Sequence, residues 1–168
     1  MTTPTYLSDL DRLRSVARYD LHSPDLRHLL DGIAARTAER LGGSVAAVNI
    51  LLDRAVMIIA GAGEHRATAA IGGGPAEWSF CSRVVAEGRP VVVADATADP
   101  GDDVDGAPLA ATGLRAYAGV PLTAGNGHVL GAHCAMHAEP GRYNESTLRV
   151  LEAAATEIMA ALERYRAA

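Results

Sequence analysis

The spacing of apolar and polar positions changes period along the chain, and the changes mark out its elements. From Ala116 to Pro140 the period is two: Ala118, Val120 and Leu122 alternate with Tyr117, Gly119 and Pro121, as strand residues pointing to opposite faces do. Asn126-Gly127 is a hairpin signal, because both residues tolerate positive φ. On the return strand, Val129 to His137, Leu130, Ala132, Cys134 and Met136 share one face; Gly131, His133, Ala135 and His137 share the other. So apolar a hairpin needs cover on at least one face.

Helical spacing supplies that cover. Ser8 is a candidate cap for a short helix carrying Leu10, Leu13 and Ala17. Ser23-Pro24-Asp25 joins a cap, a first-turn Pro and an acid that suits the helix dipole. Leu26, Leu29, Leu30, Ile33, Thr37 and Leu41 follow, and Gly42-Gly43 stops the helix. Asn144 caps the last helix, where Leu148, Leu151, Ala155, Ile158, Leu162 and Tyr165 form a near-heptad seam. That seam is broad enough to predict a homodimer built through the terminal helices.

Between the long helices, Ser44 to Leu52 reads as a central strand, apolar on both faces except at Asn49, and Ala55 to Ala60 as its return. Glu64 to Gly74 reads as a loop, with Gly72-Gly73-Gly74 as a hinge or lid. Ser79 caps a short helix ending at Gly88, Val91 to Ala94 is a strand, Asp95 to Pro108 a loop, and Pro108 to Gly113 one helical turn. This order predicts an α+β fold: a mainly antiparallel sheet with terminal helices on one face and a short helix with loops on the other.

Composition narrows the classes. Hydrophobic residues make up 49% of the 168, so one domain with a real core is expected. Aromatics are only 4%, which leaves the core to Ala, Val, Leu and Ile. All 15 basic residues are Arg, the net charge is −5, and no long basic run occurs, against general nucleic-acid binding. The first ten residues lack a signal-peptide pattern and no apolar run reaches membrane length, so the expected compartment is the cytoplasm.

Several residues carry candidate chemistry. Cys81, in the first turn behind Ser79, is either a thiolate favoured by the helix start or a small side chain packed under Val85. His133 and His137 share a face while Cys134 points away, so this group falls short of the roughly four ligands of a closed zinc site. Asp99, Asp102, Asp103 and Asp105 lack calcium-loop spacing and read as a solvated acidic loop. Gly72-Gly73-Gly74 lacks the Lys of a phosphate loop.

Four stretches resemble the GAF domain family, related in shape to PAS domains. They are Ser79-Phe80-Cys81-Ser82-Arg83-Val84-Val85 with Gly88-Arg89-Pro90; Asp95-Ala96-Thr97-Ala98-Asp99-Pro100; Tyr117-Ala118-Gly119-Val120-Pro121-Leu122; and Gly127-His128-Val129-Leu130-Gly131-Ala132-His133-Cys134. The resemblance spans roughly Ser23 to Leu162, which divides the chain into a helical extension, 1–22, and the domain, 23–168. It implies an antiparallel sheet of five or six strands, terminal helices on one face, and short helices and loops over a pocket on the other. His133 and His137 depart from the common pattern, which has an aliphatic residue and an Asp there. The cyclic-nucleotide signature is absent. Cys81 is followed by Ser82 and Cys134 by Ala135, not by the His that commonly follows a bilin-bearing Cys.

The implied pocket would be lined by Asn49, Trp78, Phe80, Cys81, Arg115, Tyr117 and His133, an apolar wall with a few polar groups; an ordinary filled core is the alternative. The expected function is a non-catalytic sensor module that binds a small molecule and signals through its terminal helices to a separate partner. Two alternatives stand beside it. One is a pocket-cysteine enzyme of the free methionine sulfoxide reductase type, although the family's cysteine-bearing loop is missing. The other is a haem-linked redox or gas sensor using His133. No cofactor is specified.

Overall fold

A computed structural model describes residues 6–63, 73–99 and 103–167. The elements are α1 (Leu10–Val16), α2 (Pro24–Arg40), β1 (Val45–Leu51), β2 (Ala55–Ala62) and β3 (Gly73–Pro75). A 3-10 turn (Ala76–Trp78) leads to α3 (Cys81–Glu87), β4 (Val91–Val93), α4 (Ala107–Ala111), β5 (Ala116–Thr123), β6 (Val129–His137) and α5 (Glu145–Glu163).

Short polar side chains start the long helices. The Ser23 hydroxyl accepts from the Leu26 N–H, and Pro24 fills a first-turn position where an N–H would lack a partner. Asn144 accepts from Ser146 and Thr147, and Thr147 accepts in return from the Asn144 N–H. At α1 the expected cap shifts by one residue, from Ser8 to Asp9. The Asp9 carboxylate accepts from Asp11 and Arg12, and an ionised acceptor suits the positive end of a helix.

The six strands form one antiparallel sheet in the order β3-β2-β1-β6-β5-β4. β3 falls where the glycine run reads as a hinge. Gly73 pairs with Met57 at φ +148°, and a Cβ there would overlap the Val56 carbonyl, so the missing side chain admits an edge strand. Gly72 and the preceding residues from Glu64 lie outside the described residues.

β1 divides the core cleanly. Val48 and Ile50 face α2 and α5, together with Ala118 and Val120 of β5; Ala47 and Leu51 face α3, together with Tyr117, Ala132 and Cys134. Leu26, Leu30 and Ile33 of α2 and Leu151, Ile158 and Leu162 of α5 close the first side. The seam that predicts dimerisation is therefore used inside the chain. Leu151, Ile158 and Leu162 are fully buried, and Leu148 packs at their margin.

Two bulges redirect side chains. The β1–β2 register shifts between Val48 and Asn49, and both Ile59 and Ala60 join the helix-side core. The β5–β6 register shifts between Leu122 and Thr123, and Leu130 turns to the helix side, away from the Ala132, Cys134 and Met136 face that strict alternation assigns it. The hairpin turn also differs from a two-residue loop. Gly127 alone takes positive φ (+89°), while Asn126 keeps a common backbone and uses its side chain, accepting from the His128 N–H and donating to Ser15 Oγ.

The N-terminal segment passes the end of β6. Leu7 packs on the α3 side, whereas Val16 and Tyr19 pack on the helix side. The buried Arg12 guanidinium donates to the carbonyls of Leu7 and Val129. Among the described residues no helix is long and apolar enough to cross a membrane.

Candidate ligand cavity

On the sheet face opposite α2 and α5 lies a cavity of about 340 Å³. Small side chains leave this space: Val45, Ala47 and Asn49 of β1 alternate toward it, with Val56 and Ile58 of β2 beside them. Gly73, Gly74 and Pro75 border one end, and Pro108, Leu109 and Thr112 of the α4 turn border another. Trp78, Ser79, Phe80 and Cys81 form a third wall, and Tyr117, Cys134 and Met136 complete the floor. Trp78 is 49% exposed and stands at the mouth.

One side chain on this wall is unsatisfied. Asn49 is only 6% exposed, and its Oδ1 has no hydrogen-bond partner. Its Nδ2 lies 3.3 Å from Cys81 Sγ and 3.8 Å from Cys134 Sγ. The Cys81 sulfur, favoured as a thiolate, can only accept, which assigns the Nδ2 end of the amide to the sulfurs and leaves Oδ1 as the orphan. A buried unpaired amide oxygen costs about 1–3 kcal/mol, so this position favours an incoming donor.

Cys81 is the most activated group of the cavity. The Cys134 thiol, Tyr117, Asn49 and Ser79 hold its pKa down to about 7 against the opposing effect of burial. Tyr117 lies 3.0 Å away and donates, since burial and the neighbouring sulfurs keep its hydroxyl protonated. Cys134 moves the other way: the Cys81 contact and burial raise its pKa, so a single negative charge on the pair resides on Cys81. The helix start contributes less directly than the Ser79 cap implies. Phe80 occupies the cap position, while Ser79 Oγ accepts the Cys81 N–H at 3.2 Å.

Five of the seven expected pocket residues, Asn49, Trp78, Phe80, Cys81 and Tyr117, reach the cavity wall. His133 does not. It faces α2, where its Nδ1 donates to the Ala47 carbonyl and its Nε2 accepts from the Thr37 hydroxyl, each at 2.9 Å. That tautomer follows because a carbonyl can only accept. Burial lowers the His133 pKa to about 4, so the ring is neutral. Arg115 also stands elsewhere: it leaves the cavity for a two-point pair with Asp95, which also accepts from Thr97. Arg115 holds the Asp95 carboxyl well below the usual range.

The acidic loop has a role that its composition does not reveal. Asp99 and Asp103 both grip Arg83, the only cation of α3, at distances of 2.7–3.3 Å. The Arg83 guanidinium lies 5.1 Å above the Phe80 ring centroid. The loop is thus tied to the helix that carries Cys81, and the carboxylates of Asp103 and Asp99 raise the Arg83 pKa. A lone cation on a short helix facing an acidic run was the available signal. Asp102 lies outside the described residues. Among those described, no three His, Cys, Asp or Glu side chains gather as a metal site.

The GAF domain model matches residues 23–163. No curated protein matches the sequence. Among solved structures, the free methionine-R-sulfoxide reductase from Neisseria meningitidis in complex with its substrate is similar at a TM-score of 0.66 and 20% identity, over 97% of this chain and 93% of that one. The type II free methionine-R-sulfoxide reductase from Thermoplasma acidophilum is similar at 0.64 and 12%, over 84% and 94%. The GAF domain of an Acinetobacter phosphoenolpyruvate-protein phosphotransferase is similar at 0.67 and 14%, over 97% and 96%. At such identities these structures show a shared fold. The family match spans most of the sequence, and the six-stranded sheet with its terminal helices is the fold of those neighbours. The chain belongs to the GAF domain family.

Proposed function

We propose that this chain is a small-molecule-binding sensor module whose ligand is neutral, mostly apolar and able to donate one hydrogen bond. The observation that carries this reading is the unpartnered Asn49 Oδ1 on the wall of an otherwise apolar cavity. Among the described residues the cavity wall carries no cationic side chain, and the charge that Cys81 can take is negative, so nothing there balances a carboxylate or phosphate.

A route for the signal follows from β1. The Ala47 side chain lines the cavity while its carbonyl holds His133, which reaches Thr37 on α2. A ligand that favours one position of β1 shifts α2 only by its differential affinity for the two positions. The receiving partner is a separate protein. If it is a second copy, the contact uses the outer faces of α2 and α5, where exposed Arg36 and Glu157 pair, because the apolar seam is already covered.

The reductase-type alternative would use Cys81 and Cys134, which do meet at the cavity. Its amino-acid substrate carries a carboxylate, and the described wall offers that group no cation. The binding reading is therefore preferred. Native mass spectrometry of freshly purified full-length protein, with an absorption spectrum beside it, tests the reading. A retained neutral compound absent from Asn49→Leu supports it; a retained anionic compound or a tetrapyrrole contradicts it.

A further inference from the structure

The only two cysteines of the chain arrive at the cavity from different elements, Cys81 from the first turn of α3 and Cys134 from the middle of β6. Both are free and buried, and both line the cavity wall beside the same Asn49 amide. The Asn49 amide approaches both sulfurs, and the Tyr117 hydroxyl approaches Cys81 from another direction at 3.0 Å. Cysteines acting only as small hydrophobes need no such converging donors. Donors around one sulfur favour its anion, and an adjacent thiol is placed to resolve an oxidised form.

We propose that Cys81 and Cys134 form a redox-modification site, oxidised to an intramolecular disulfide by a small neutral hydroperoxide that enters the cavity. The Cys81 thiolate attacks the terminal peroxide oxygen; an S–O bond forms, the O–O bond breaks, and the leaving alkoxide takes up a proton. Cys134, as its thiolate, then attacks the Cys81 sulfenic sulfur. The S–S bond forms, the S–O bond breaks, and hydroxide leaves with the second proton as water. Two thiols and one hydroperoxide become one disulfide, one alcohol and one water, with two electrons passing from sulfur to oxygen. The Asn49 amide and the Tyr117 hydroxyl then face neutral disulfide sulfurs, which are poorer acceptors. Oxidation thereby changes the polar floor of the cavity. This last consequence rests on the proposed ligand reading, whereas the disulfide itself does not.

The test uses reduced full-length protein, native buffer and tert-butyl hydroperoxide, read by intact mass, thiol count and peptide mapping. Wild-type protein should lose two hydrogen atoms in mass and both thiols together. One cross-linked peptide pair should join Cys81 to Cys134, and a reductant should reverse the change. In Cys134→Ser, Cys81 should instead form a sulfenic acid that dimedone traps. The proposal is overturned if wild type keeps both thiols at peroxide doses that oxidise a small free thiol. It is equally overturned if the product is oxygen added to sulfur or a link between chains. Because the wild-type mass decides the matter, a poorly folded variant does not obscure it. Failure of ligand binding would leave this result intact, so the two readings fail separately.

Discussion

Gly119 makes room for the Tyr117 ring on the same strand face: a Cβ at Gly119 would lie 2.8 Å from Tyr117 Cζ and would overlap the hydroxyl. The absence of that atom lets the ring fold back along β5 and place its hydroxyl 3.0 Å from Cys81 Sγ. Gly119→Ala should push the ring aside and remove a donor from the thiolate. The Cys81 pKa should rise from about 7, and overpacking should destabilise the fold by about 1–3 kcal/mol. Site-resolved alkylation rates against pH read the first effect and urea melts the second. An unchanged alkylation profile would remove Tyr117 from the account of Cys81.

Asn49 should show a conflict between stability and binding. Asn49→Leu removes a buried unpaired oxygen, so the free protein should be no less stable than wild type despite losing the amide contacts to sulfur. Thermal unfolding checks this. A large drop in stability would mean that Oδ1 already has a partner in the free protein, such as a bound water.

His133 should make stability depend on pH. Burial lowers its pKa in the folded chain to about 4, below the ordinary value of about 6.5. Between those values the unfolded chain binds a proton that the folded chain refuses. The contribution is fully present above about pH 6.5 and is lost as pH falls toward about 4, a loss of about 3 kcal/mol. Urea melts across that window should show the decline. His133→Gln, although less stable overall, should show a shallower slope; an unchanged slope would assign the decline to other groups.

How far the fold could be read beforehand depended on whether the signal was local. Ser23 and Asn144 announced their helices because a cap is a contact within one turn. Alternation in Val45, Ala47 and Asn49 placed these residues together on the cavity side, although the choice of face came from the family resemblance. Parity failed where a bulge intervenes, as at Leu130, since one extra residue reverses the face. His133 keeps its parity, yet it lies on the helix side because Cys134 takes the cavity side. The Arg83 clamp and the meeting of Cys81 with Cys134 join distant segments, which no short-range pattern reports.

The covered seam of α5 yields a fourth expectation. Ile158→Asp places a carboxylate among Leu151, Leu162 and the sheet, forfeiting about 1.5–3 kcal/mol of apolar burial and adding the cost of a buried charge. The protein should unfold, as seen by loss of its circular dichroism. A variant that stays folded but sediments at half the wild-type mass would restore the seam as an interface between copies.

The claim that the cavity takes a neutral donor at Asn49 is tested most directly by calorimetric titration of full-length reduced protein with matched compounds, such as benzyl alcohol and benzoate. They share an apolar ring and differ in offering a hydroxyl donor or a carboxylate. The account predicts that the alcohol binds, that the carboxylate binds at least tenfold more weakly, a difference of about 1.4 kcal/mol or more, and that Asn49→Leu weakens the alcohol without improving the carboxylate. Equal or tighter binding of the carboxylate, or alcohol binding that Asn49→Leu leaves unchanged, would contradict it.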